Sequence, residues 1–159
     1  MSTPTPATAP TIDRRGSVTT RAHGSLLPYA LTFLAANIVI QLVIVATGNR
    51  ITLLSTSLLG LAALGYAIYL LTIGRVLGRV RYARLVAHAF SYVVVNVGFG
   101  LHAYILFAVG SPAIQGDGYL PMDPHWFGAT FGMASFWGIG LILHGLGALL
   151  DRGFEARRA

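Results

Sequence analysis

The residues best suited to chemistry in this chain are its histidines, and three of them lie inside long apolar runs. His88 and His102 are fourteen residues apart. That is about four helical turns, so the two share a helix face. His144 lies on a later run, within two turns of its end. Two histidines on facing helices are a known way to hold a b-type haem. His88 and His144 are therefore the candidate haem ligands. With one histidine on the later run, the pattern allows one haem and not two. Another metal or a quinone could use the same groups. The same residues also suit a plainer role near the interface, satisfied by each other, by water or by backbone. Asp117, Asp123 and His125 share a polar loop and could form a weak cation site, although such loops are ordinarily just solvated. Ser91 has no local base. No H-E-x-x-H, serine elbow or paired acid set is present, so no catalytic residues and no metal centre are expected.

These side chains must be positioned by membrane helices. The chain has 159 residues, 55% hydrophobic and 10% charged. A soluble domain carries about 25% charged residues. Four uncharged apolar segments cover about 26–47, 53–73, 86–109 and 126–150. Each is at least as long as the ~20 residues that cross a hydrocarbon core as a helix. The runs lack the alternation of an outer-membrane barrel, and helices satisfy their own backbone groups in lipid. The expected fold is an all-α membrane protein with four transmembrane helices in two antiparallel hairpins.

Residues 1–25 are rich in Ser, Thr, Pro and Ala and read as a disordered cytoplasmic tail. Arg14 and Arg15 are not followed at once by an apolar stretch, and the first run is too long for a signal-peptide core. Residues 26–73 then form a first hairpin, 74–85 an Arg-rich cytoplasmic connection, 86–150 a second hairpin, and 151–159 a basic cytoplasmic tail. Ten of the eleven basic residues, all arginines, fall on one side; only Arg50 falls on the other. The positive-inside rule then puts both termini in the cytoplasm of a multi-pass protein of the cell membrane. The same rule accounts for the net charge of +6 without a nucleic-acid partner. The absence of cysteine excludes disulfides, thiolate metal sites and a thiol nucleophile. No charged side chain lies inside a span, which argues against a proton pump or charge-coupled transporter.

Polar and small residues inside the spans suggest packing. Ser91, Tyr92, Val95 and Phe99 fall near the His88–His102 face, with Asn96 at its edge. On the last span, Gly128, Gly132 and Ser135 form a small-residue stripe that permits close helix approach. Trp126, Met133, Trp137, Gly140 and His144 form the opposite stripe. The stretch YALTFLAAN at 29–37 aligns with HAFSYVVVN at 88–96, which pairs Asn37 with Asn96. Asn37, Asn96, His102 and Trp137 are thus expected to pack between helices or to face a ligand.

The second hairpin carries a more particular pattern. His88, Tyr92-Val-Val-Val-Asn96, an outside loop with a tryptophan, then Trp137-Gly138-Ile139-Gly140-Leu141 and His144 resemble the two-transmembrane (2TM) domain family, over about residues 84–151. The chain departs from that pattern by an extra hairpin before it, a longer outside loop and no regulatory domain. The resemblance implies a membrane module and no chemistry. The expected function is a small non-enzymatic integral membrane protein: an accessory, sensor or scaffold module in the lipid bilayer, without cofactor, contacting itself or a membrane partner. The alternatives are a b-haem electron carrier, and a membrane enzyme or transporter for a lipid or small apolar ligand. The latter predicts a cavity lined by His88, Asn96, Trp137 and His144.

Overall fold

A computed structural model of the chain describes residues 14–77 and 82–150. The described residues form four long helices: α1 (Arg14–Ala46), α2 (Leu53–Leu77), α3 (Ala83–Ala108) and α4 (Pro124–Leu150). Each contains a stretch long and apolar enough to cross a membrane, with mean hydropathy of 2.1, 1.8, 1.6 and 1.7 in chain order. Apart from one isolated bridge, Gln115 to Met122, the described residues contain no β pairing.

Two boundaries differ from expectation. Helix α1 begins at Arg14, so residues 14–25, expected in the disordered tail, are helical. Residues 14–25 contain no proline, and α1 continues through its one proline, Pro28, which removes a helical hydrogen bond without ending the helix. The Arg-rich connection is also shorter than expected, because α2 continues to Leu77 and α3 starts at Ala83. Residues 1–13, Arg79 and Arg81 of the connection, and the basic tail 151–159 lie outside the described residues.

The helix ends follow from local chemistry. Gly48 and Gly110 take left-handed φ values of 77° and 65°. Each allows the pair of backward hydrogen bonds that closes a helix: Gly48 N to Val45 O with Asn49 N to Ile44 O, and Gly110 N to Phe107 O with Ser111 N to Leu106 O. Thr52 and Ser55 cap α2 reciprocally, at 2.9 Å and 3.3 Å between each side-chain oxygen and the other's N–H. Asp123 caps α4 by accepting from His125 N at 2.9 Å and Trp126 N at 3.2 Å, with Pro124 in the first helical position.

Helix α3 lies at the centre. It packs against α1 and α4, and α1 also packs against α2. The buried face of α3 carries Ala87, His88, Ser91, Val95, Phe99 and Ala103. That is the face anticipated from the His88–His102 spacing. Phe33, Ile44, Tyr66, Ile114 and Trp126 complete the core. Outward positions are apolar too: Leu31, Leu61, Leu71, Val97 and Leu143 are all more than half exposed. A surface of this kind suits lipid better than water.

Helix α4 is irregular. Gly128–Gly132 form a π-helical turn, in which the Met133 N–H reaches back to Gly128 O. The expected small-residue stripe falls on this turn and beyond it, but Gly128, Gly132 and Ser135 are exposed, and a Cβ at either glycine would meet nothing within 4 Å. Within the chain, the packing face of α4 is instead the stripe of Trp126, Ala129, Met133 and Trp137. The π turn contributes by shifting the register of the two ends of the helix relative to each other.

Candidate functional site

The polar side chains of the spans gather in two clusters. The first surrounds His88, which is 7% exposed. Helix α2 brings Tyr66, whose hydroxyl lies 2.7 Å from His88 Nδ1. Helix α4 brings the Trp137 carbonyl to 3.4 Å from Nε2, a weak contact by geometry. Trp137 stacks on Tyr66 at 5.9 Å between ring centres. Gly140 lets α4 come this close: a Cβ there would sit 3.0 Å from His88 Nε2. One turn along α3, Ser91 Oγ lies 2.5 Å from Tyr29 Oη of α1 and donates to Ala87 O at 2.7 Å. Tyr29 in turn stacks on Tyr69 of α2 at 4.2 Å. Three helices are thus tied to α3 at one level.

His88 is buried because three helices converge on it. His144 is exposed, and its ring meets His88 edge to face, with centres 4.7 Å apart and planes at 83°. The candidate haem ligands are therefore brought together, in direct contact. Both His88 nitrogens already face protein atoms. A porphyrin between the rings would require them to part and Gly140 to move away.

The second cluster ties the opposite end. His102 Nδ1 lies 2.7 Å from Gln41 Oε1 of α1, and Nε2 lies 3.1 Å from Asn49 Oδ1 in the turn after α1. Trp126 packs edge-on against the imidazole at 5.0 Å and donates from Nε1 to Asn49 O at 3.0 Å. Asn49 is held at a φ of 60°, which aims both of its oxygens at α3 and α4. A neutral imidazole has one donor, so two facing oxygens are satisfied together by the imidazolium, or by a neutral ring with the Gln41 amide flipped. The flip also suits Gln41 Nε2, which is otherwise buried without a partner.

The two asparagines differ from each other. Asn37 is buried at 6% exposure, and its Oδ1 points at the Gly98 backbone of α3. Asn96 does not reach another helix through its amide nitrogen; Nδ2 donates to Tyr92 O of its own helix at 2.8 Å. Asn37 Nδ2 and Asn96 Oδ1 are buried with no partner. The expected pairing of the two as counterparts ends there, because they face different neighbours.

The loop between α3 and α4 is packed against the bundle. Ile114 is 1% exposed, and Asp123 N donates to Ile114 O at 2.9 Å. Asp123 is committed to capping α4, and Asp117 accepts from Tyr119 N at 3.3 Å. Among the described residues, Asp117, Asp123 and His125 do not form a cluster of three potential metal ligands.

Tyr29, Tyr66, Gln41 and Asn49 were not singled out from sequence. For Tyr29, Gln41 and Tyr66 the available signal was physical: a phenol or amide inside an apolar helix needs a partner, and each has a histidine or hydroxyl partner on α3; Asn49 lies in the turn after α1 and carried no such signal. Tyr66→Phe removes the hydroxyl facing His88 Nδ1 while leaving the ring in place. A loss of about 1 kcal/mol is expected in unfolding by mixed micelles, with helix content by circular dichroism unchanged. Wild-type stability in Tyr66→Phe would mean that the bond is not formed.

Two cavities border the bundle: one of about 450 Å³ between α1 and α2, and one of about 310 Å³ between α2 and α4 beside the π turn. Neither is lined by His88, Asn96, Trp137 or His144. Compared with known proteins, the chain matches no family model, no curated protein and no solved structure.

Proposed function

We propose that the chain is a small, non-enzymatic, multi-pass protein of the cell membrane, acting as an accessory, sensor or scaffold module through helix contacts with itself or with a membrane partner. The observation that carries this reading is where the polar side chains go. Tyr29, Tyr66, His88, Ser91 and His102 are engaged in contacts between secondary-structure elements. Groups used in this way are not arranged as a nucleophile with its base, or as a lined reaction cavity. The resemblance of residues 84–151 to the 2TM domain family favours the same reading. In this proposal the helices form two antiparallel hairpins with both termini in the cytoplasm, as the arginine distribution suggests. The outward face of α4 at Gly128, Gly132 and Ser135 is then available to a partner helix.

The test is the absorption spectrum and native mass of the full chain purified in mild detergent from haem-replete cells. The proposal expects no Soret band, and a particle heavier than one chain plus micelle. A Soret band lost in both His88→Ala and His144→Ala would establish the haem-carrier alternative instead. Turnover of a substrate by the isolated protein would overturn the non-enzymatic reading. Reporter fusions at both termini should score as cytoplasmic.

A further inference from the structure

The largest of the described cavities is a slot between α1 and α2, of about 450 Å³. On α1 it runs from Tyr29 past Phe33 and Ala36 to Ile40; on α2 it runs from Leu58 past Ala62 to Tyr66. Among the large side chains of its walls, the small residues Ala36, Ala62 and Gly65 leave a trough where larger side chains would close the helix pair. A Cβ at Gly65 would meet nothing within 4 Å.

Size and polarity together select the occupant. The α1 wall covers about 16 Å at 1.5 Å per residue, so about 450 Å³ spread along it gives a cross-section of roughly 28 Å², narrower than the ~10 Å width of a helix. A partner helix would lie over the slot without filling it, whereas a single extended hydrocarbon chain fits within it. A ligand with a polar ring or head inside the slot would need a hydrogen-bond partner there. Both bordering phenols are already engaged, Tyr29 with Ser91 and Tyr66 with His88, and Thr32 is the only other polar side chain in the lining. The head must then stay outside. The slot's Tyr29 end lies three residues inside the start of the apolar segment at Leu26, where a lipid head group would sit.

We propose that this slot binds one acyl chain of a phospholipid from the leaflet that contains Tyr29, with the chain lying against the Tyr29, Phe33 and Tyr66 rings. Because Tyr66 also holds His88 and stacks on Trp137, an occupied slot presses on the cluster that joins α2, α3 and α4. The inference rests on the chain being embedded in a membrane, and is independent of whether it has an activity.

The test uses the full chain in vesicles of phosphatidylglycerol and phosphatidylethanolamine that carry a trace phospholipid with a mid-chain diazirine. After illumination, label is mapped by peptide mass. The expected result is label concentrated on 29–40 and 58–66, several-fold above the outward faces around Val97 and Leu143. Gly65→Leu and Ala62→Leu should each lower the slot labelling several-fold and leave the outward labelling unchanged, with helix content preserved. Label spread evenly over all outward faces would overturn the slot. So would slot labelling that persists in the folded leucine variants. Displacement of the label by an isoprenoid quinone, but not by excess unlabelled phospholipid, would overturn the acyl-chain assignment. If either leucine variant fails to fold, the wild-type map decides. A protein that stays in solution without detergent would sink the membrane reading itself, a failure distinct from even labelling.

Discussion

Trp126→Ala should give the largest single loss of stability in the protein, about 3–5 kcal/mol. Trp126 is fully buried, at 0% exposure. It performs three tasks at once. Its ring fills the space beneath the α3–α4 loop with Ile114 and Ala129, its edge supports His102, and its Nε1 donates to Asn49 O at 3.0 Å. Truncation therefore leaves a cavity and strands the Asn49 carbonyl. A companion variant separates the terms. Trp126→Phe keeps most of the apolar volume and loses the hydrogen bond, and should cost about 1–3 kcal/mol through the unsatisfied carbonyl. Thermal or mixed-micelle unfolding of the detergent-solubilised chain measures both. If Trp126→Ala unfolds at the wild-type midpoint, the outer cluster is not part of the core. The effect should reach the turn after α1, because Asn49 loses the donor that helps hold it at positive φ; faster proteolysis near Arg50 would report this.

The second large effect is expected at the α1–α3 crossing. A Cβ on Gly98 would lie 2.5 Å from Asn37 Oδ1, well inside contact distance. The amide oxygen occupies the place where any other residue would carry its side chain, an approach close enough for a weak Cα–H···O contact. Gly98→Ala should therefore cost about 1–3 kcal/mol by forcing the helices apart or turning Asn37 out. The coupling identifies the cause. Asn37→Ala alone should be mild, because Nδ2 already has no partner, and it should restore most of the stability of Gly98→Ala. Additive losses in the double variant would refute a direct clash. The same reasoning explains why Asn37 is tolerated at 6% exposure in an apolar helix: its oxygen has the α3 backbone to face, and only a glycine there leaves room.

What could be read along the chain and what could not divide by physical scale. Four apolar runs longer than a bilayer core, and the absence of charges within them, were enough for four helices long and apolar enough to cross a membrane, because that signal is local and summed over some twenty residues. The buried face of α3 was readable from the spacing of His88, Ser91, Val95 and Phe99, since a helix repeats regularly. Helix ends were blurred: α1 begins at Arg14 and runs through Pro28, which costs a helical hydrogen bond without ending the helix, so neither composition nor the proline marked its start. The small stripe of α4 was only partly readable. Spacing marked Gly128, Gly132 and Ser135 as a stripe for close helix approach; it faces outward, with a π turn at Gly128–Gly132, so no helix of this chain packs on it. Periodicity cannot give the azimuth of a helix whose register shifts midway.

By itself, then, the sequence determined four helices long and apolar enough to cross a membrane and which residues share a helix face, set by composition and by fixed helical geometry. Only the tertiary structure decided which faces meet. It set His88 against Tyr66 and Trp137 where a haem ligand had been considered, and His102 between Gln41 and Asn49. It also turned Asn96 back onto its own helix and set Asn37 against Gly98. Those outcomes depend on contacts between residues dozens of positions apart. In an apolar chain nearly every helix face can be buried, so the choice among faces falls to shape, to the few small residues that permit close approach, and to the few polar groups that need a partner across the gap.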